Sequence, residues 1–323
     1  MRTRKLGYAD LHLTTVGLGT WAIGGSWHWG WGSQDDAESI AAIRRALDMG
    51  INWIDTAPAY GLGHSEEIVG RAIAGRRDEI LIATKCGLVW DEGSTSAYGR
   101  LKAESVRAEC EASLERLNVE VIDLYQIHWP TTDEDIEEAW ATIADLVQEG
   151  KIRYAGVSNF SVAQLERVQP IHPVASLQPP YSMIERGVEE ELLAYCAAND
   201  IGVIVYSPMQ TGLLTGKYTR ERIARLPDDD WRKHRSDHFQ EPALSANLEL
   251  VEALRPIAER QGRTVAQLAV AWVLHRPEVT AAIVGARRPS QIKQTAPAGD
   301  WVLSAEDFAE IDALLAKREQ ALA

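Results

Sequence analysis

The sequence predicts an α/β protein folded as a (β/α)8 TIM barrel, eight parallel strands closed into a ring and wrapped by helices. Three observations lead there. Short apolar runs alternate with stretches of helical periodicity along the chain, the pattern of crossover units and a parallel sheet. Eight such runs are present, enough for closure. Several end on polar residues, and in barrels chemistry gathers at the C-terminal ends of the strands.

The predicted strands cover residues 16–19, 52–55, 80–85, 122–128, 152–158, 175–178, 202–206 and 281–284. Between them, Ser161-x-x-Gln164 and Thr264-x-x-Gln267 read as capping boxes that start helices, and Ser33-x-x-Asp36 as a shortened variant. Gly50 and Gly150 supply C-terminal stops. Ala103, Val106, Cys110, Leu114 and Leu117 recur at spacings of three and four, which makes one apolar face of an outer-ring helix. Residues 2–6 and 11–13, joined through Gly7-Tyr8-Ala9-Asp10, predict an N-terminal β-hairpin capping the barrel bottom. Residues 208–242, which include Leu226-Pro-Asp-Asp-Asp-Trp231, are too long for an ordinary structureless connection. They read as a long lid loop after strand 7.

At 323 residues the chain fits one barrel, and no linker or low-complexity tract divides it, so residues 1–323 are expected to form a single domain. A net charge of −14 and a pI near 5.1 argue against nucleic acid or an anionic membrane as partner. No stretch reaches the apolar length of a membrane span, and no leader is evident. Cys86, Cys110 and Cys196 are odd in number and widely spaced, which fits a reducing cytoplasm. Among eight histidines there is no H-x-H or H-E-x-x-H, so no metal is expected.

Asp55, Tyr60, Lys85 and His128 stand at or just beyond strand ends. Alone, an Asp and a Lys there read as a structural salt bridge, a Tyr as packing and a His as a satisfied core residue. Together they suit carbonyl reduction: a tyrosine donates the proton, a lysine lowers its pKa, an aspartate holds the lysine, and a histidine polarises the carbonyl.

Three motifs carry a family resemblance: Gly50-Ile-Asn-Trp-Ile-Asp55-Thr-Ala-Pro-Ala-Tyr60-Gly61, Gly63-His-Ser-Glu66 with Val69-Gly70, and Ile122-Asp-Leu-Tyr-Gln-Ile-His128-Trp-Pro130. With them the chain resembles an aldo-keto reductase from Val16 to its closing helices. The resemblance implies that Asp55, Tyr60, Lys85 and His128 form a catalytic tetrad, with Tyr60 the general acid in reduction and the general base in oxidation.

It also implies a nicotinamide cofactor. Gly17-Leu-Gly19-Thr-Trp-Ala22 matches G-x-G-x-x-A, but Gly24-Gly25 follows where a helix should open. Gly19, Thr20 and Trp21 are instead expected beside the nicotinamide ribose, close to Asp55. Ser158, Asn159 and Gln178 are expected on the carboxamide and Tyr206 stacked on the ring. Ser207, Pro208, Gln210, Gly212, Leu213 and Lys217 resemble a loop folding over the pyrophosphate. Beyond Gly285, Arg287, Arg288 and Gln291 suit the 2′-phosphate of NADPH, so NADP(H) is preferred over NAD(H). Gln294 and Thr295 replace the Glu and Asn that usually meet the adenine.

Seven tryptophans, Trp21, Trp27, Trp29, Trp31, Trp90, Trp129 and Trp231, lie at or beyond strand ends or in the lid. With Tyr60 and His128 they predict an aromatic-lined pocket for aldehydes or ketones bearing an apolar or aromatic portion. Tyr60-Gly-Leu-Gly63 and Gly285-Ala-Arg also resemble the branch that includes potassium-channel β subunits, so a cofactor-binding regulatory subunit is the alternative. The sequence leaves the oligomeric state open.

Overall fold

The computed structural model describes residues 1–228 and 230–322; Asp229, inside the expected lid, and Ala323 lie outside the described residues. Eight parallel strands close into a barrel: β1 (Val16–Gly19), β2 (Trp53–Asp55), β3 (Leu81–Cys86), β4 (Ile122–Ile127), β5 (Ile152–Ser158), β6 (Ser176–Gln178), β7 (Gly202–Val205) and β8 (Val279–Gly285). Closure is made by β8 on β1, with Ala282 opposite Val16 and Gly285 opposite Gly19. The predicted strands hold to within two residues at their ends. His128 and Tyr206 fall just past β4 and β7 rather than inside them.

The helices are α1 (Asp36–Asp48), α2 (His64–Ile73), α3 (Ala103–Leu117), α4 (Ile136–Gln148), α5 (Val162–Val168), α6 (Leu192–Ala198), α7 (Arg220–Ala224), α8 (Trp231–Arg235), α9 (Ala243–Arg260), α10 (Val265–Val273), α11 (Pro289–Thr295) and α12 (Ala305–Leu322). Ser161 and Thr264 form the expected capping boxes with Gln164 and Gln267. Gly50 and Gly150 adopt φ of 81° and 76°, the left-handed turn that ends a helix. The cap expected at Ser33 is displaced. Asp35 caps α1 by accepting from Glu38 N at 2.8 Å, while the Ser33 carbonyl accepts from the Arg287 guanidinium.

A strand turns alternate side chains to opposite faces, so residues two apart point into the barrel together. Trp53 is followed by Asp55, Ala83 by Lys85, Leu124 by Gln126, and Ile204 by Tyr206. The first member of each pair belongs to a buried apolar cluster with Ala175, Ala281 and Ile283; the second stands nearer the C-terminal ends. One period-two step thus separates an apolar plug from a polar layer.

The plug is closed from below by the expected hairpin, Thr3–Lys5 against His12–Thr14, whose flanking Leu6, Ala9, Leu11 and Leu13 are all buried in that cluster. Trp53 fills much of it and donates Nε1 to Thr14 O at 2.8 Å. Gly17 makes room for it, since a Cβ there would lie 2.0 Å from the indole.

Residues 208–242, expected as a long lid loop, carry secondary structure of their own. They contain α7, α8 and 3-10 turns at Gln210–Thr215 and Asp237–Phe239, with Thr219 and Asp230 capping the two short helices. Elements of five residues are too short to show helical periodicity in sequence. Trp231 packs at 5.9 and 6.2 Å between ring centroids on Trp21 and Trp29, Arg232 lies 4.1 Å over Trp31, and Arg235 Nη1 meets His28 Nε2 at 2.8 Å. This segment therefore does cover the loop that follows β1. Among the described residues, no helix is long and apolar enough to cross a membrane.

Candidate active site

Asp55 and Lys85 end neighbouring inward rows, and both are buried. Lys85 Nζ donates to Asp55 Oδ1 and Oδ2 at 2.9 and 2.8 Å, to Thr56 O at 2.8 Å and to Tyr60 Oη at 3.1 Å. An ammonium has three protons, so one shared by the carboxylate, one on the carbonyl and one on the phenol use all of them. Because the lysine donates to the phenol oxygen, the tyrosine's own proton must point elsewhere. His128 stands edge-on to Tyr60 with 5.6 Å between ring centroids, and its imidazole nitrogens make no hydrogen bond among the described residues.

The electrostatics of this group are set by burial. Burial, and then the Asp55 charge, push the Tyr60 phenol well above its ordinary pKa. The sequence expectation that Lys85 lowers it is thus reversed in the free protein, because loss of solvent outweighs one neighbouring cation that is itself balanced by Asp55. Burial pulls Lys85 below its usual value while Asp55 pulls it up. Burial, with the Lys85 charge behind it, holds His128 well below the usual histidine range, so the imidazole is neutral at pH 7.

A hydrogen-bond chain leads from this group across the barrel. Gln178 Nε2 donates to Asp55 Oδ1 at 2.8 Å and to Gln126 Oε1 at 3.4 Å, and Ser158 Oγ donates to Gln178 O at 2.8 Å. Asn159 Nδ2 donates to Ser158 Oγ and to His128 O, while Asn159 Oδ1 accepts from Tyr206 Oη at 2.9 Å. The donors of Ser158 and Gln178, expected on a carboxamide, are thus committed within the protein. On the other side Thr20 Oγ1 donates to Asp55 O at 3.1 Å and accepts from Ser65 Oγ at 2.8 Å, beside Gly19 and Trp21.

Past β7 the backbone is left-handed at Ser207, Gln210, Thr211, Gly212 and Gly216, an expensive run for non-glycine residues that bunches the chain around Pro208 and buried Leu213. Gln210 Oε1 is held by Ser182 Oγ at 2.8 Å. Lys217 Nζ donates to Gln294 Oε1 at 2.8 Å, joining this loop to α11.

Arg287 is fixed to the loop after β1 through Gln34 Oε1 at 2.5 Å and the carbonyls of Trp31 and Ser33. Arg288, 66% exposed, pairs with Glu38 at 3.2 Å. Gln291 Oε1 accepts from the backbone of both arginines, and Thr295 Oγ1 donates to Gln291 O. Arg287 and Arg288 follow closely on β8, and Lys217 is tied to α11 through Gln294.

Of the tryptophans, Trp21, Trp29, Trp31 and Trp231 form a connected cluster, and Trp27 lies 6.4 Å from Tyr60 between centroids. Trp129 is 43% exposed, and Trp90 lies 6.0 Å below the Arg116 guanidinium. Sequence reasoning gave no role to Glu66, although its motif was recognised. Glu66 is fully buried, accepts from Thr84 Oγ1 at 2.5 Å and from Arg116 Nε at 2.7 Å, and so braces the residue before Lys85. Glu109 gave no signal because it shares the inner face of α3 with Val106 and Cys110. It accepts from Gly87 N at 2.8 Å and Ser105 Oγ at 3.0 Å, and burial pushes its pKa up to about 7.

Comparison with known proteins places this geometry. Residues 15–316 match the family model described as "Aldo/keto reductase family". The chain is 42% identical over 318 residues to aldo-keto reductase YhdN of Bacillus subtilis, covering 98% of this chain and 94% of that protein. It is 36% identical over 321 residues to an NADH-specific methylglyoxal reductase of Escherichia coli, covering 95% and 96%. The solved glycerol dehydrogenase AKR11B4 from Gluconobacter oxydans superposes with a TM-score of 0.89 at 41% identity, covering 98% of this chain and 95% of its own. Aldo-keto reductase AKR11C1 from Bacillus halodurans does so with 0.82 at 28%, covering 97% and 96%.

Proposed function

We propose that this chain, which belongs to the aldo/keto reductase family and is therefore an oxidoreductase acting on carbonyl and alcohol groups, reduces small aldehydes and ketones with NADPH, Tyr60 supplying the proton. The observation that carries this reading is the contact of Lys85 with Tyr60 Oη at 3.1 Å, beside a neutral His128.

The cofactor, when bound, supplies the hydride to the carbonyl carbon. The protein's part is the proton and the charge. Its raised pKa keeps Tyr60 protonated at rest, so the phenol is a donor before the reaction begins. As the proton leaves for the carbonyl oxygen, negative charge grows on Tyr60 Oη, and the Lys85 proton already aimed at that atom stabilises it. Asp55 holds the lysine in place through both carboxylate oxygens. His128, neutral, donates an N–H to the same carbonyl oxygen and orients it. In the oxidative direction the same atoms run in reverse, with Tyr60 as base.

Tyr206, fixed through Asn159, offers its ring to the nicotinamide, and Gly19, Thr20 and Trp21 line the ribose. Residues 207–217 close over the pyrophosphate, with Lys217 and Gln294 as the two ends of a clasp. Arg288 is the exposed cation for a 2′-phosphate, whereas Arg287 holds the loop after β1. The Escherichia coli relative is named NADH-specific, so the NADPH reading rests only on the arginines that follow β8 in this chain. The aromatic mouth around Trp21, Trp27, Trp29 and Trp231 receives the substrate. Residues 1–323 act as one barrel domain in the cytoplasm. No observation favours the regulatory-subunit alternative.

The test is oxidation of NADPH and of NADH, each followed with 4-nitrobenzaldehyde. Turnover with NADPH at a lower KM than with NADH is expected; no turnover with either refutes the reading, and a lower KM for NADH refutes the cofactor choice.

A further inference from the structure

Ser65 and Glu66, adjacent near the start of α2, hold the two sides of the contact between Lys85 and Tyr60. Ser65 takes the tyrosine side: its N donates to Tyr60 O at 3.1 Å, and its hydroxyl lies 3.1 Å from Thr56 Oγ1, on the residue whose carbonyl accepts from Lys85. Glu66 takes the lysine side. Alternation along β3 turns Thr84 away from the barrel interior where Lys85 points into it, and Thr84 Oγ1 donates to Glu66 Oε1 at 2.5 Å. Two consecutive residues therefore tie both partners of a 3.1 Å contact.

The carboxylate is itself fixed from α3. Arg116 Nε donates to Glu66 Oε2 at 2.7 Å and Ser113 Oγ to the same atom at 3.3 Å. The two helices come this close because Gly70 of α2 has no side chain: a Cβ there would lie 2.7 Å from Arg116 O. A buried ion pair is expensive to desolvate, and well-packed apolar residues often stabilise a fold as much. What apolar packing could not do is place a second carboxylate behind Lys85, whose charged form Glu66 favours together with Asp55. Inside the barrel Lys85 is faced by Asp55, Tyr60 and the neutral His128. Outside it the charges are Glu66 and Arg116, with Glu109 beyond Arg116. Burial keeps the Cys86 thiol and the Tyr125 phenol protonated, so they add none.

We propose that Glu66 is a positioning residue for the proton transfer: through Thr84 it fixes Lys85 against Tyr60 Oη, and it sets a second negative charge behind that lysine. This rests on the reading of Tyr60 as the proton donor. Glu66 acts through Lys85, from outside the barrel.

Thr84→Val keeps the shape of the side chain and removes the hydroxyl. The rate of NADPH oxidation in a single turnover is expected to fall about two- to tenfold, the worth of one hydrogen bond, with the NADPH dissociation constant unchanged and Thr84→Ser restoring the rate. Glu66→Gln keeps the size and removes the charge. An arm without cofactor follows the Lys85 side-chain ¹³Cε signal of the full-length protein through a pH titration, with that signal identified by its loss in Lys85→Met. Removing a nearby negative charge makes an ammonium easier to deprotonate, so the Lys85 midpoint is expected to move to lower pH in Glu66→Gln and to stay in place in Thr84→Val. A wild-type rate in Thr84→Val overturns the proposal, as does a Lys85 midpoint that Glu66→Gln leaves in place. Should Glu66→Gln not fold, the Thr84→Val rate alone decides. If the wild-type protein oxidises neither NADPH nor NADH with 4-nitrobenzaldehyde, the carbonyl-reductase reading fails, and the cofactor-free titration still decides whether Glu66 acts on Lys85.

Discussion

Gln178 Nε2 donates to Asp55 Oδ1 at 2.8 Å, so the carboxylate that holds Lys85 is itself held from β6, across the barrel. Asp55 is 2% exposed and has no water to fall back on. Its charge is tolerated because Lys85 and Gln178 together satisfy it, and a buried charge that loses a partner is expensive.

Gln178→Leu is therefore expected to cost about 1.5 to 3 kcal/mol of stability, the worth of a hydrogen bond to a charged group, and to lower turnover as Lys85 loses its fixed position. Urea unfolding measures the first and steady-state kinetics the second. An unchanged urea midpoint would show that Asp55 does not depend on β6.

Glu109 predicts a pH dependence. Its pKa of about 7, raised by burial, lies above the usual 4.5 of a glutamate, so the folded protein favours the protonated form. That stability is complete below pH 4.5 and is lost as pH rises through 7, to the extent of about 3 kcal/mol. Glu109→Gln cannot ionise, so wild type should lose stability relative to this variant between pH 5 and 8. Parallel stability curves would mean that the carboxylate is well accommodated in the fold.

Much of this fold was legible because its two periods are plain. The alternation of Trp53 with Asp55 and of Ala83 with Lys85 announces which end of the barrel is polar, and Ser161 and Thr264 announce helix starts through purely local bonds. What sequence did not show depends on distant partners. Ser33 lies in a loop that Arg287, some 250 residues later, holds through the Ser33 carbonyl, and α1 is capped by Asp35 two residues on. The direction of the Tyr60 pKa depends on how completely the barrel buries it, which no spacing of residues records. The short lid helices lie below the length at which amphipathic periodicity shows.

The two arginines after β8 are expected to separate by role. Arg288→Ala should raise the NADPH dissociation constant roughly 10- to 150-fold and change NADH far less, as for the loss of one charge-assisted phosphate contact. Arg287→Ala should instead free the loop after β1, weakening both cofactors together, because its guanidinium binds Gln34 and the carbonyls of Trp31 and Ser33. Fluorescence titration measures both, and equal losses of NADPH and NADH in Arg288→Ala would contradict the assignment.

The central claim, that Tyr60 delivers the proton, is tested most directly by Tyr60→Phe in single-turnover kinetics with bound NADPH. The ring and its packing remain, while the oxygen that faces Lys85 at 3.1 Å is removed. The rate of NADPH oxidation should fall by about 10² to 10⁴, with the NADPH dissociation constant held near the wild-type value. A single-turnover rate within a few-fold of wild type would contradict the account.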